Sequence, residues 1–363
     1  MRSEAMNEFL REAGWGEAAK EPLAGDASTR RYVRLRRGGE TALLMDQPQD
    51  AEAPSAPAHA SAEERRALGY NAVARLAGAD CERFIAASEF LRRKGLSAPE
   101  IYAAHAAEGF VLIEDFGDTL YSDVLARGED EHALYANAID ALAKLHEAQA
   151  PASLPRGKPL FAYDETALLA ETDLMTDWFL PLALGRKARP DEIAEHRALW
   201  QGALEPVLDA APVFVHRDYH AQNLLWLGGR EGAARVGLID FQDAVAGTRS
   251  YDLISLLEDA RRDVSPELAE TMTKRYLAAV DADEESHRAE MAVMAAQRNA
   301  KIAGIFARLY LRDSKPRYLS YLPRVWGYLN RDLAHPALSP LKTWYDKTIP
   351  LERRGNPQMG ETV

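Results

Sequence analysis

Residues 213–226 read VFVHRDYHAQNLLW. Two apolar runs, Val213–Val215 and Leu224–Trp226, read as buried strands. Between them lie His216, Arg217, Asp218 and Asn223, polar groups that a buried frame would hold on a rigid loop. After Asn223 the chain continues LLWL, then a glycine-rich GGREGAA, then RVGLIDFQD. That is a strand, a turn and a strand ending at Asp240. Such a hairpin returns Asp240 to the neighbourhood of Asn223. A carboxylate and an amide oxygen held together are hard ligands that suit Mg²⁺. Asp218 can face an incoming hydroxyl and accept its proton during phosphoryl transfer.

The neighbouring polar residues read as support. His216 is expected to be structural, hydrogen-bonded to the backbone near Asp240, and Arg217 is grouped with it. Downstream, GTRSYDLISLLED sets Asp252 in the first turn of a helix, where free N–H groups favour a carboxylate. Asp252 is therefore expected to brace the catalytic loop. Ser265, Pro266 and Glu267 open another helix as cap, first residue and first-turn acid.

The rest of the chain divides in two. Residues 3–14 have a helical pattern. RRYVRL alternates, with Arg31, Val33 and Leu35 on one face and Arg30, Tyr32 and Arg34 on the other. RRGG then makes a turn and TALLMD a second strand, so the pair reads as a hairpin. Residues 47–62 are Ala/Pro-rich without periodicity and read as a flexible insertion. Helical patterns follow at about 63–78 and 82–94, and GFVLIEDFGD is another strand running into a loop at Gly117. From Asp118 to Pro212 the pattern is mostly helical. The expectation is an α+β, two-lobed chain. Residues 1–116 form a small nucleotide-binding lobe with an antiparallel sheet. Residues 117–363 form a larger, mainly helical lobe with the catalytic loop, the metal ligands and the acceptor site.

Composition narrows the classes. With 363 residues, 47% of them hydrophobic and 28% charged, the chain can bury two sizeable cores. A net charge of −12 repels nucleic acid and anionic membranes, so neither is an expected partner. Cys81 is the one cysteine, which excludes an intrachain disulfide and a zinc–cysteine centre and fits a reducing compartment. The first residues, MRSEAMNEFLREAGWGEA, contain no apolar signal core, and no apolar run is long enough to span a membrane. A cytoplasmic monomer acting on a small molecule is expected.

The nucleotide would enter beside AGDASTRR, where backbone N–H groups and the Ser28 and Thr29 hydroxyls could cap phosphates. IEDFGD would be the hinge, with backbone groups of Glu114 and Phe116 meeting adenine. No lysine lies between Lys20 and Lys94, although kinase-like small lobes carry one on the strand written here TALLMD. Arg31 is the candidate substitute, with Glu89 as its partner. In the large lobe, MAVMAAQRNAKIAGIFARLYLRD puts Arg298 within an apolar helical arc and Lys301, Arg308 and Arg312 along its edge. A buried cation needs an anionic partner. That partner is either Asp252 or Asp243, in an ion pair, or the substrate. Arg298, Lys301, Arg308 and Asp243 are thus the substrate-side candidates.

The string H-R-D-x-x-x-x-N with its trailing hairpin matches the catalytic loop and metal aspartate of protein kinases. VHRDYHAQNLL and LIDFQDA resemble the aminoglycoside phosphotransferase superfamily of kinase-like enzymes. LAGDASTRRYVRL, LLMDQP, VLIEDFGD, FQDAVAGTRSYDLISLL, QRNAKIAGIFARLYLRD and KPRYLSYLPRVWGYL resemble the anomeric kinases of bacterial cell-wall sugar recycling. The likeness covers residues 8 to 335 and departs from the pattern at residues 47–80. It implies a two-lobed kinase-like fold and ATP and Mg²⁺ as cofactors. It further implies Asp218 as base, Asn223 and Asp240 as metal ligands, and an α-configured 1-phosphate of N-acetylmuramate or N-acetylglucosamine as product. The missing lysine fits that subgroup. Two alternatives stand beside it. One is a kinase of another small alcohol, such as choline, homoserine or an aminoglycoside. The other is a nucleotide-binding pseudokinase, against which the intact Asp218, Asn223 and Asp240 argue.

Overall fold

The computed structural model describes residues 2–24, 30–48, 56–57, 60–74 and 80–357. It has a small lobe built on an antiparallel sheet and a larger, mainly helical lobe. The small lobe opens with helix α1 (Arg2–Glu12). Its sheet consists of β1 (Ala19–Pro22), β2 (Arg31–Arg37), β3 (Glu40–Asp46), β4 (Ile101–His105) and β5 (Phe110–Glu114), in the order β1-β2-β3-β5-β4. All neighbouring strands are antiparallel. The β2–β3 hairpin turns on Gly38 and Gly39, at φ 54° and 94°, a region that side chains disfavour.

Which face of the hairpin is covered decides where its arginines go. Phe9, Leu10 and Trp15 pack with Leu35, Ala42, Leu44 and Leu112 into a core on one side of the sheet. The other side carries Met45, Val111 and Ile113 into a core shared with the large lobe. Arg30, Tyr32 and Arg34 therefore face the interlobe cleft.

Between β3 and β4 run α2 (Ala62–Leu68), α3 (Tyr70–Ala74) and α4 (Cys81–Arg93). The single helix expected over 63–78 is broken at Gly69, whose φ is 82°. The expected insertion lies largely outside the described residues. Of it, Ala56 is buried and donates its N–H to the Ala72 carbonyl at 3.0 Å.

The large lobe contains α5 (Tyr121–Ala126), α6 (Glu131–Leu145), α7 (Glu165–Leu174), α8 (Leu180–Leu184) and α9 (Pro190–Leu208). Four three-residue strands follow: β6 (Val213–Val215), β7 (Leu224–Trp226), β8 (Val236–Leu238) and β9 (Val245–Gly247). β6 pairs with β9, and β7 with β8. The remaining helices are α10 (Ser250–Leu257), α11 (Pro266–Val280), α12 (Glu284–Leu311), α13 (Leu322–Asp332), α14 (Ser339–Thr348) and α15 (Leu351–Arg354). Ser265 caps α11 by accepting the Leu268 N–H at 3.1 Å. The long α12 runs through the lobe's core beside α7, and a Cβ on Gly304 would come within 2.6 Å of the Leu174 backbone. Helices α2 and α3 dock on α7, where Arg65 pairs with Asp164. Among the described residues no helix is long and apolar enough to cross a membrane.

Candidate active site

The β7–β8 ladder aligns Leu224 with Leu238, and Ile239 donates its N–H to the Asn223 carbonyl at 3.2 Å. Asn223 and Asp240 thereby leave the ladder side by side. The Asn223 amide nitrogen donates to the Asp218 carbonyl at 3.1 Å and lies 3.5 Å from Asp240 Oδ2. With its nitrogen anchored to the loop, the amide presents its oxygen on the other side. Asp240 Oδ1 receives Gln242 Nε2 at 2.9 Å and faces Arg30 Nη2 at 3.3 Å. Its side chain stays 42% exposed, so a further ligand can reach it.

Asp252 holds the loop that carries Asp218. The Asp252 carboxylate is fully buried and accepts the N–H groups of His216 and Arg217 at 2.6 and 2.8 Å. Arg217 sits at φ 75° and Asp240 at φ 64°, conformations uncommon for residues with a Cβ. The loop's expected histidine bond is not made. Both ring nitrogens of His216 lack a protein partner, and the ring packs edge-on against Tyr219 and Phe241. Aromatic walls thus do the holding expected of a hydrogen bond near Asp240. Burial pushes His220 down to about 3, so its imidazole is neutral beside Asn223.

Arg217 points into a buried polar cluster. Its Nη2 meets Glu171 Oε1 at 2.7 Å, and its Nη1 donates to the Ala74 carbonyl at 2.6 Å. Lys301 reaches the same Glu171 oxygen at 2.8 Å and the Tyr251 hydroxyl at 2.9 Å. Gln297 and the Tyr163 hydroxyl donate to the other oxygen. Burial alone would raise the Glu171 carboxyl, but Lys301 and Arg217 outweigh it and lower it from 4.5 to about 2.

The cleft between the lobes encloses about 460 Å³. Tyr32, Leu43, Ile113, Leu225 and Ile239 give it apolar walls, while Asn223 and Asp240 stand at its edge. Those walls suit a flat aromatic base, and the polar edge suits phosphates. Glu114 and Phe116 line the hinge side. The Glu114 N–H is committed to the Glu100 carbonyl at 2.8 Å, so what it offers a base is its own carbonyl. A larger cavity of about 640 Å³ lies behind α9 and α12, with Arg249 and Glu290 in its wall and no residue of the catalytic loop.

The family model described as APH, phosphotransferase enzyme family, matches residues 21–291. The chain belongs to that family. It is 44% identical over 360 residues to the N-acetylmuramate/N-acetylglucosamine kinase of Caulobacter vibrioides, covering 97% of this chain and 98% of the relative. It is 31% identical over 353 residues to the N-acetylmuramate/N-acetylglucosamine kinase of Pseudomonas putida, covering 93% and 91%. Among solved structures it resembles a choline/ethanolamine kinase family protein from Mesorhizobium loti, with a TM-score of 0.55 at 14% identity, over 95% of this chain and 99% of that one. At that identity the likeness shows a common fold.

Several expectations within this phosphotransferase need correction. Arg31 is exposed on the strand face that α1 covers, and it does not line the cleft. The alternation holds, but the set that faces the cleft is Arg30, Tyr32 and Arg34, not the set that contains Arg31. Glu89 pairs with Arg156 and Arg93, not with a cation of the sheet. Arg298 pairs with neither Asp252 nor Asp243. Its guanidinium donates to Ser255 Oγ at 2.9 Å and toward the Glu258 carbonyl at 3.4 Å. Asp252 is already occupied by the loop amides, and the buried ion pair that α12 makes here is Lys301–Glu171. Arg308 lies over the Tyr70 ring at 4.7 Å. The backbone carbonyl of Asp243 accepts from Arg217 at 3.4 Å. Ser28 and Thr29 lie outside the described residues.

Sequence reasoning missed Arg34, Gln242 and Glu171. Arg34 is buried and grips Asp115 and Asp118 with both edges of its fork, at 2.7 to 3.2 Å. Hydrogen bonding to Asp118, then to Asp115, raises it further above the ordinary arginine range. For Glu171 the usable signal resembles that for Arg298: a charge set directly after the apolar helical run ALLA in TALLAETDLM.

Proposed function

We propose that the protein phosphorylates the anomeric hydroxyl of N-acetylmuramate or N-acetylglucosamine, with ATP as donor and Mg²⁺ as cofactor. The observation that carries this reading is the 44% identity to the Caulobacter vibrioides kinase across nearly the full length of both chains. The site chemistry is compatible with it. Among the described residues no three His, Cys, Asp or Glu side chains cluster into a metal centre. A site of one carboxylate and one amide fits an ion whose remaining ligands are nucleotide phosphates and water. Asn223 and Asp240 would hold it there. When bound, the ion would supply positive charge that offsets the negative charge developing on transfer.

The chain's own residues supply position and proton acceptance. Asp218 takes the proton of the anomeric hydroxyl as the hydroxyl oxygen bonds to the terminal phosphorus of ATP. The bond from that phosphorus to its bridging oxygen breaks, so that ADP leaves with the electron pair. Its loop is fixed by Asp252, so the carboxylate need not reorganise during the step. The apolar cleft walls take the base, and the hinge groups of Glu114 and Phe116 orient it. The product is a sugar 1-phosphate of α configuration, made in the cytoplasm by a monomeric enzyme.

The test is a panel of free N-acetylmuramate, N-acetylglucosamine, choline, homoserine and an aminoglycoside, each with ATP and Mg²⁺. Phosphorus-coupled NMR of the product should place the new phosphate on the anomeric carbon of the amino sugars. Turnover of choline, homoserine or the aminoglycoside without turnover of the sugars would overturn the reading, as would phosphate on another sugar hydroxyl.

A further inference from the structure

Kinase-like enzymes hold nucleotide phosphates with a small-lobe lysine. No lysine occurs between Lys20 and Lys94, and the residue of β3 that lines the cleft is Leu43. The phosphates of a bound nucleotide carry several negative charges beside Asp240, itself an anion. A cation must come from somewhere else on the cleft wall.

Two arginines line that wall, Arg30 and Arg34. They are not equivalent. Arg34 spends its fork on two carboxylates, with four contacts between 2.7 and 3.2 Å to Asp115 and Asp118. Releasing it would strip Asp115, whose side chain is 4% exposed, of its cation. Arg30 instead reaches across from the small lobe to Asp240 Oδ1, at the longer distance of 3.3 Å. Asp240 is the carboxylate read above as a metal ligand, and a divalent ion held by it would repel a guanidinium at hydrogen-bond distance from the same group. A guanidinium is also suited to phosphate, because its planar fork matches two phosphate oxygens.

We propose that Arg30, which pairs with the Asp240 carboxylate, passes to the nucleotide phosphates when a metal–nucleotide complex binds at Asp240. It thus stands in for the missing lysine as the phosphate-binding residue and covers the metal ligand beforehand. This rests on the reading of Asp240 as a metal ligand. It makes a prediction of opposite signs that a purely structural ion pair does not share. Without Arg30, metal alone should bind better, because a competing cation is gone. Nucleotide should bind worse, because a phosphate partner is gone.

The experiment compares wild type with Arg30→Met, Arg30→Lys and Arg31→Met, after circular dichroism shows that each variant is folded. Titration calorimetry measures Mn²⁺ alone, ADP alone and ADP with Mg²⁺. Arg30→Met should bind Mn²⁺ several-fold tighter and ADP with Mg²⁺ about 10- to 150-fold weaker, the range of a lost charge-assisted hydrogen bond. Arg30→Lys should recover most of the ADP affinity, and Arg31→Met should match wild type throughout. Unchanged ADP affinity in Arg30→Met would overturn the phosphate role. Mn²⁺ binding that is weaker or unchanged in that variant would overturn the covering role. Asp240→Asn separates the two layers of the argument. If it binds Mn²⁺ like wild type, the reading of Asp240 fails, whatever Arg30 does.

Discussion

Replacing Glu171 by Gln should destabilise the protein by about 3 kcal/mol at neutral pH, and the loss should shrink in acid. The Glu171 side chain is 1% exposed and joins two cations, Arg217 and Lys301, to one carboxylate oxygen. Its pKa falls from 4.5 to about 2 in the folded protein. At about 1.4 kcal/mol per pH unit, that difference is worth about 3 kcal/mol. An independent route agrees: breaking a buried pair by removing one partner costs about 3–5 kcal/mol, because the other charge is left uncompensated. The sign follows from linkage. A carboxyl whose pKa is lower folded than unfolded adds stability above the unfolded value and loses it as pH falls through the folded one. The window here runs from pH 4.5 down to about 2. Urea denaturation of both proteins at pH 7, 5 and 3 tests this. The gap between wild type and variant should be about 3 kcal/mol at pH 7 and less than half of that at pH 3. A gap that stays constant across the range would refute the argument, since the stabilisation would then not come from the ionised form.

Asp218→Asn should keep the melting temperature and nucleotide affinity of wild type while kcat falls about 10² to 10⁴-fold, the usual worth of a general base. Near-normal kcat would remove Asp218 from that role. Asp252→Asn should lower stability by about 2–3 kcal/mol, because the His216 and Arg217 N–H groups lose an ionised acceptor. Steady-state kinetics should then show kcat falling more than KM changes, and an equal rise in KM would indicate a disturbed substrate pocket instead. Gly304→Ala should destabilise by about 1–3 kcal/mol in urea titrations, since the new methyl meets Leu174 backbone at 2.6 Å. A neutral result would mean that α12 and α7 can part without loss.

The placing of Asn223 against Asp240 was legible because it is local. A strand, a short turn and a strand fix the register of a hairpin, and Ile239 and Asn223 meet as that register requires. The β2–β3 hairpin was legible for the same reason. What the sequence left open was settled by distant chain. Alternation sorts Arg30, Tyr32 and Arg34 from Arg31, Val33 and Leu35, but only the docking of α1 decides which set is covered. The three-residue β9 exists because β6 pairs with it, and VAG alone carries no strand signal. Arg298 and Lys301 both read as cations needing a partner. The partner of Lys301 lies on α7, far away in sequence, and the needs of Arg298 are met by the Ser255 hydroxyl on α10 and the Glu258 carbonyl just after it.

The docking of α2 and α3 on α7 limits how the two lobes can move. A lobe joined to another at one point can both tilt and twist about it. Here the chain between β3 and β4 is fastened to the large lobe at several places: Arg65 to Asp164, the Ala74 carbonyl to Arg217, Lys158 to Asp80, and Arg156 to Glu82 and Glu89. Phe84 and Phe90 also stack on Phe241 and Phe214. Fastenings spread in this way resist tilt and twist alike, so α2, α3 and α4 belong mechanically with the large lobe. One of these anchors, Arg217, sits on the same loop as Asp218, so loosening the dock of α3 would reach that loop directly.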